Sequence, residues 1–321
     1  MNNLKKIGLT ALGTVLISGA ANAADMSVTG STSLFFNGED NSDLGNGWSM
    51  TDSISFAASG EMDNGWTVST SLEMDGAAFD DRSLSVDMGD TGKITFSGSG
   101  TSGPIGAWDD LTPTANEEAH GTATAGTADG AVNSPSSANA FIYDYTVAGM
   151  DGLVLKAAYF PSAGANQVES ATEIGVQYTG IEGLTVTAGM GENNDQSAAA
   201  TNTAGSGKID TSIMSISYAM ENGLSIGYQV NEADSGNANE DEDFTAIGAS
   251  YALTEDLSIS YNISEIDYEA TTLSDQEASG VSFSMTNGGM TLSGTYSEVD
   301  NVAGTATADN TGYELNLAFA F

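Results

Sequence analysis

The sequence predicts an all-β protein, a sixteen-stranded antiparallel up-and-down β-barrel with a very long third loop. Three observations carry this prediction. Large apolar residues alternate with small polar or acidic residues in one segment after another. The connections between these segments alternate between short turns and longer polar loops. Helical periodicity of comparable length appears nowhere in the 321 residues.

The alternation defines the strands in chain order. Near the start of the series, Trp66, Val68, Leu72 and Met74 share one face, and hydroxyl or acidic residues occupy the other. The same apolar spacing recurs at Leu84-Val86-Met88, Phe141-Tyr143-Tyr145, Ile174-Val176-Tyr178, Met214-Ile216-Tyr218, Leu257-Ile259-Tyr261-Ile263 and Tyr313-Leu315-Leu317-Phe319-Phe321. A period of two is the signature of a strand with one apolar and one polar face.

The connections give the number of strands. Seven are short and rich in Asn, Asp and Gly, as tight hairpins require; they lie at 61–65, 89–92, 149–152, 180–183, 221–223, 254–256 and 287–289. Eight are predicted as longer polar loops, at 38–47, 75–81, 99–139, 161–170, 192–207, 231–243, 267–277 and 297–310. Fifteen connections join sixteen strands, and an even number places both termini at the short-turn end.

The polar face decides which side of the wall meets water. Rich in Ser, Thr, Gly and acids, it cannot pack a dry interior as wide as that of a sixteen-stranded barrel. The apolar face is therefore predicted to meet lipid and the polar face to line a water-filled lumen. Tyrosines of apolar parity near both strand ends, such as Tyr218 and Tyr228, fit the two aromatic bands of a transmembrane barrel.

The N-terminus predicts export. Residues 1–23 carry Lys5 and Lys6, an apolar run and the triplet Ala21-Asn22-Ala23, which is the order of a cleaved secretory signal. Cleavage is expected before Ala24, leaving 24–321 as one barrel domain. No later stretch approaches 18 uninterrupted apolar residues, so helical membrane spans are not predicted.

Composition excludes several function classes. With 44 Asp and Glu against 6 Lys and Arg, the net charge is −38, which repels nucleic acid. The absence of Cys excludes disulfides and thiolate sites, and a single histidine, His120, excludes a His–His metal pair. No phosphate-binding or dinucleotide fingerprint follows a strand, and the paired acids lack a glycosidase context. The sequence therefore predicts a protein that is not an enzyme and requires no cofactor.

These features resemble the trimeric sixteen-stranded general porins of Gram-negative outer membranes, most closely the alphaproteobacterial type. The likeness covers the mature chain in layout and is sharpest from Asp63 to Gly98 and at the terminal Phe321. It implies a homotrimer among outer-membrane lipid and lipopolysaccharide, with a first strand sealed against the last. It also implies that the barrel assembly machinery reads Phe321, and that the third loop, 99–139, folds inward and narrows the lumen.

The third loop is the candidate functional element. A loop of this length without periodicity is usually functional or disordered. Its acids Asp109, Asp110, Glu117 and Glu118 are predicted to set the electric field at the narrowest point. The same four residues form a candidate Ca²⁺ site, although field-setting without a bound metal is the favoured interpretation. The Glu240–Asp243 run and His120 are interpreted as an exposed loop and an exposed side chain.

Strand parity assigns further residues to the pore wall. Two lysines and five acids point into the lumen by this rule: Lys93, Lys156, Glu73, Asp87, Asp144, Glu173 and Glu314. Porins of the family usually oppose the acidic loop with a cluster of arginines on the wall. Here the expected position reads Ser99-Gly100, and Arg82 has the apolar parity. The sequence therefore predicts a lumen that is negative almost throughout.

These expectations describe a diffusion channel for small hydrophilic solutes and ions, with a preference for cations because the lumen and loops are acidic. Two alternatives remain at this stage. One is a substrate-specific nutrient channel on the same barrel, and the other is a secreted, Ca²⁺-binding structural or adhesive β protein. The second should show a fixed-length repeat, which the chain lacks.

Overall fold

The computed structural model describes residues 25–39, 46–76, 78–120, 134–135, 138–162, 169–194, 208–235 and 241–321. These residues contain sixteen β-strands. The strands are β1 (Asp25–Glu39), β2 (Trp48–Glu61), β3 (Thr67–Asp75), β4 (Ala78–Asp87), β5 (Lys93–Ser99), β6 (Ala140–Thr146), β7 (Leu153–Phe160), β8 (Ala171–Tyr178), β9 (Leu184–Asn193), β10 (Ile209–Ala219), β11 (Leu224–Asp234), β12 (Glu242–Ala252), β13 (Leu257–Tyr268), β14 (Gln276–Asn287), β15 (Met290–Asp300) and β16 (Asn310–Ala320). A short helix, α1 (Pro104–Ala107), lies in the loop after β5. The helices within these ranges are too short to span a membrane.

The strands close into one antiparallel barrel in which each pairs with its neighbours in sequence and β1 pairs with β16. The seam is completed by two reciprocal backbone hydrogen bonds of 2.9 Å between Gly30 and Phe321. The predicted sixteen-stranded all-β fold is confirmed. So is the expectation that the first strand is sealed against the last. The predicted signal segment, 1–23, lies outside the described residues.

One predicted loop is wrong. Residues 75–81 were expected to form a long polar loop, but β3 ends at Asp75 and β4 already begins at Ala78. Gly76 adopts a positive φ of 61°, which lets the chain reverse within two residues. A shift of register between Leu72 and Met74 precedes the turn. The polarity of the segment therefore reflects a barrel rim and not an extended loop.

The two faces of the wall differ in exposure as the alternation predicted. On β13 the apolar side chains Ile259, Tyr261 and Ile263 are 42%, 53% and 42% exposed. The intervening polar residues Ser260, Asn262 and Ser264 are buried. Side chains splay apart on the convex outside of a closed barrel and crowd together on its concave inside. The apolar face is therefore the outer one, and the polar face lines the lumen.

Part of the buried apolar core lies between the third loop and the wall. Ile105 and Trp108 of the loop pack with Ile213 of β10, and Leu111 lies against them. A second small cluster joins Ala119 of the loop to Ala278 and Val299 on β14 and β15. Because these contacts are made on the polar, inner face, they support the inward course expected for the loop.

Candidate functional site: the loop against the lumen wall

The start of the loop is fixed by a buried carboxylate on the wall. Glu173 of β8 is 1% exposed and accepts a 2.9 Å hydrogen bond from the backbone N–H of Ile105. Ser134, on the returning part of the loop, donates a 2.6 Å hydrogen bond to the other oxygen of the same carboxylate. Pro104 lies in the first turn of α1, where its missing N–H costs nothing. Glu173 thus holds the outgoing and returning arms together.

The next contact is made by a buried glutamine. The side-chain oxygen of Gln229, on β11, accepts a 2.7 Å hydrogen bond from the N–H of Leu111. Its amide nitrogen donates to the carbonyls of Trp108, at 3.1 Å, and Asp109. One neutral side chain therefore satisfies three backbone groups of the loop, which a carboxylate could not do because it has no N–H to donate.

Beyond this point the loop crosses the last strands on hydroxyl and amide contacts. The hydroxyl of Thr114 lies 3.2 Å from that of Ser260 and 3.1 Å from that of Ser282, on β13 and β14. The side-chain amide of Asn116 donates to Thr295 at 2.9 Å and to Glu314 at 2.7 Å. Residues 105–116 are thus hydrogen-bonded to side chains of β8, β11 and β13 to β16 on the lumen wall.

His120 ends the described part of the outgoing arm. It is 4% exposed, and its Nε2 lies 2.9 Å from Asp110 Oδ1. Its Nδ1 lies 3.3 Å from the Ser264 hydroxyl, and its ring meets Phe244 edge-on at 5.0 Å. The sequence interpretation of an exposed histidine is therefore wrong. The ring is buried because the loop folds back over β12 and β13.

The four predicted loop acids differ in their surroundings. Asp110 and Glu117 are exposed, Asp109 is half-buried, and Glu118 is 7% exposed. Burial and the nearby Asp110 charge raise the pKa of Glu118 to about 7, against a lowering influence from its backbone hydrogen bond and from His120. In the described ranges no group of three or more His, Asp or Glu is arranged to hold a metal ion.

Four of the predicted wall residues form one lateral row on neighbouring strands. Asp87 pairs with Lys93, Lys93 with Asp144, and Asp144 with Lys156, on β4 to β7. The Lys156 ammonium lies 2.6 Å from Asp144 Oδ1. Lys93 and Asp87 flank a short turn, so this end of the row lies near the short-turn rim. The row alternates in sign and is neutral in sum.

The remaining predicted wall acids have hydrogen-bond partners of their own. Glu73 accepts a 2.5 Å hydrogen bond from the hydroxyl of Ser53 on the adjacent strand. Glu173 and Glu314 contact the loop, as described above, and both are buried. These two residues therefore anchor the loop, whereas the sequence interpretation assigned them to the pore wall without any partner in the loop.

Sequence reasoning missed the neutral residues that fasten the loop. Gln229, Asn116, Ser260 and Ser282 carry no charge and fit no motif. A weak signal existed for Gln229, because it has the lumen-facing parity on its strand and is larger than the Ser, Thr and Gly residues around it. Its partners, however, lie about 120 positions away in sequence.

Comparison with known proteins places these features in context. A sequence model described as Gram-negative porin matches residues 8–315. The fold is similar to that of an anion-selective porin from Comamonas acidovorans, with a TM-score of 0.68 and 14% identity over 93% of this chain and 100% of that one. It is also similar to a mutant of the Rh. blastica porin, with a TM-score of 0.65 and 14% identity over 92% and 100%. The outer membrane protein OmpT of Vibrio cholerae gives a TM-score of 0.65 and 16% identity over 94% and 99%. No curated protein sequence matches the chain.

Proposed function

The chain belongs to the Gram-negative porin family, and from this membership and the acidic loop we propose that it is an outer-membrane diffusion channel that prefers cations. A porin performs no catalysis: the solute moves down its own gradient through water. The protein contributes a passage, a size limit and an electrostatic bias. The electrostatic bias is determined by the charged side chains that line the passage.

The positions of the basic residues carry the proposal. Of the six in the sequence, four lie in the described ranges. Arg82 pairs with Leu72 on the outer face of β3 and β4. Lys208, at the start of β10, lies 2.9 Å from Glu192 and 3.0 Å from Asp210. Lys156 is paired with Asp144, and Lys93 lies between Asp87 and Asp144. None of the four is an unopposed positive charge facing the loop.

The loop, by contrast, presents exposed carboxylates. Asp110 and Glu117 face water within the lumen, where the low-dielectric wall strengthens their field. Such a field concentrates cations and repels anions, and the effect weakens as salt rises. The Comamonas porin of similar fold is described as anion-selective. The barrel therefore permits either sign of selectivity, and the lining residues must decide it.

The test is the reversal potential of the purified channel in a planar bilayer under a KCl gradient. A potential of the cation-selective sign is expected. Glu117→Gln should reduce the cation-to-anion permeability ratio by about fivefold, because one charge about 8 Å from a passing ion is worth roughly 0.5 kcal/mol in water, favourable for a cation and unfavourable by the same amount for an anion. Glu277→Gln, the same change on the outer face of β14, is the matched control and should leave the ratio unchanged. Anion selectivity of the unaltered channel would overturn the proposal.

No cofactor is needed for this function. Calcium binding by Asp109, Asp110, Glu117 and Glu118 is a secondary proposal for the same loop. It would appear as a Ca²⁺-dependent loss of cation preference that Asp110→Asn with Glu117→Gln abolishes. An unchanged response to Ca²⁺ in that double variant would show that these four acids do not bind calcium.

Export and assembly are proposed on the same basis. Cleavage before Ala24 is tested by N-terminal sequencing of the protein from outer membranes, and the trimer by its mass in detergent. Deletion of Phe321 should impair insertion by the barrel assembly machinery, and co-purified lipopolysaccharide would identify the surrounding lipid.

A secreted adhesive protein and a substrate-specific channel find no support in the comparisons. Saturable conductance with one nutrient would favour the second.

A further inference from the structure

Two glycines lie directly opposite each other on the lumen wall beneath the third loop. Gly227 of β11 pairs with Gly248 of β12. Both have the parity of the polar, inner face, and Pro113 of the loop lies across them. Glycine weakens a strand interior, and it often marks a place where another backbone approaches closely.

The fit leaves no room for a methyl group at either position. A Cβ at Gly227 would lie 2.4 Å from Pro113 Cδ and 3.1 Å from its Cγ. A Cβ at Gly248 would lie 2.8 Å from Thr112 Cβ and 3.0 Å from the carbonyl oxygen of Pro113. Ordinary contacts begin at 3.4 Å. The proline ring and the backbone cannot rotate away as a flexible side chain can, so the loop itself would have to move by about 1 Å or more at Gly227.

The loop is fastened on both sides of this point. Before Pro113, the N–H of Leu111 is bonded to Gln229. After it, the hydroxyl of Thr114 contacts Ser260 and Ser282. A methyl group on the wall would push Pro113 away from the wall, which is toward the centre of the lumen. The flanking hydrogen bonds confine this displacement to the segment around Pro113.

Glycines also lie where the loop crosses other strands. A Cβ at Gly175 of β8 would lie 2.4 Å from the Trp108 ring and 2.8 Å from Pro104 Cβ. A Cβ at Gly280 of β14 would lie 3.1 Å from Ala119. The wall thus lacks a side chain at four places along the path of the loop, and at the Gly227–Gly248 pair two facing glycines meet the same proline.

We propose that Gly227 and Gly248 form a seat for Pro113 that sets how far the third loop projects into the lumen, and hence the cross-section of the passage. The seat is a determinant of size selectivity that lies outside the charged lining. This inference rests on the proposed function as a diffusion channel.

The experiment compares three variants with the unaltered protein. Single-channel conductance in planar bilayers and the relative swelling rates of proteoliposomes in sugars of increasing size are measured. Gly227→Ala should lower the conductance and slow the largest sugar more than the smallest. Gly60→Ala, on β2, is the matched control, because nothing lies within 4 Å of the added methyl group. Gly227→Ala with Pro113→Ala removes the clashing ring atoms and should restore both quantities.

The outcomes separate the seat from the channel function. Unchanged conductance and sieving in Gly227→Ala would overturn the seat, as would a double variant that stays impaired. If Gly227→Ala alone does not assemble, a double variant that assembles and conducts normally supports the seat, and one that also fails overturns it. Absence of conductance in the unaltered protein would instead refute the proposed function.

Discussion

Asn116, near the middle of the third loop, donates a 2.7 Å hydrogen bond to Glu314 of the last strand, 198 residues away in the chain. The same amide reaches Thr295, so one neutral side chain ties the loop to two strands next to the barrel seam. The position of the loop therefore depends on individual side-chain hydrogen bonds, which single substitutions can remove.

Replacement of Asn116 by Ala should loosen this end of the loop. Glu314 would then be buried without its amide donor, a cost of about 1–3 kcal/mol for an unsatisfied polar group. We expect greater noise in the open-channel current and a wider spread of conductance levels. Asn222→Ala in a short turn, where the side chain accepts a hydrogen bond from Leu224, is the control and should leave the current quiet. Equal noise in both variants would contradict the prediction.

Gln229 should be more sensitive than its neutral chemistry suggests. Gln229→Leu removes three hydrogen bonds to the loop backbone, and Gln229→Glu keeps an acceptor for Leu111 while losing both donations. Both variants should expose the loop to chymotrypsin near Trp108, because the buried backbone is released. The measurement is the rate of cleavage of the folded barrel in detergent. Resistance equal to that of the unaltered protein would show that the apolar packing around Ile105 is sufficient.

Cation preference should fall as the pH is lowered from 8 to 6. The pKa of Glu118 is raised to about 7, mainly by burial and then by the Asp110 charge, so the residue takes up a proton in this range. The pKa of Glu118 in the folded protein exceeds the ordinary 4.5, so the folded state binds the proton more tightly than the unfolded state does. The stability of the folded state therefore rises as the pH falls from about 7 toward 4.5.

The reversal potential at each pH is the measurement for this step, and Glu118→Gln should flatten the response. Asp110, Glu117 and His120 also face this region, so substitution of Glu118 is needed to assign the change. A response that persists unchanged in Glu118→Gln would show that Glu118 is not its source.

Added salt should stabilise the barrel. On the outer face near the long-loop end, Glu265 lies opposite Glu277, and Glu277 lies opposite Asp300. Like charges in directly opposed positions repel, and salt screens them. The unfolding temperature should therefore rise between 10 mM and 500 mM NaCl, where the Debye length shortens from roughly 30 Å to a few Å. Glu277→Gln should raise it at low salt and reduce the effect of salt. Glu255→Gln, in a short turn, is the control.

The strands could be predicted from the sequence because each carries its own signal. An alternation such as Ile259, Tyr261 and Ile263 is local, and the number of turns fixed the number of strands. Residues 75–81 were mispredicted because polarity alone does not distinguish a rim strand from a loop. What decided the outcome was Gly76 reversing the chain within two residues.

The site was less predictable because its contacts join distant parts of the chain. Parity assigns Glu173 and Glu314 to the lumen-facing wall, but it cannot find their partners, Ile105 and Asn116, which are 68 and 198 positions away. Likewise, nothing local distinguishes Gly227 from a glycine of an ordinary weak strand. Its role becomes visible only when Pro113 lies above it.

The hydrogen bonds to residues 105–116 come from β8 to β16, on one side of the barrel. A molecule in transit therefore passes between this fastened segment and the inner surface of β1 to β3 on the opposite side of the barrel. Lining residues on β1 to β3 could change without altering the hydrogen bonds that hold 105–116 to β8, β11 and β13 to β16. Such a division would let descendants of this protein acquire new permeant solutes on one half while inheriting an unchanged architecture on the other.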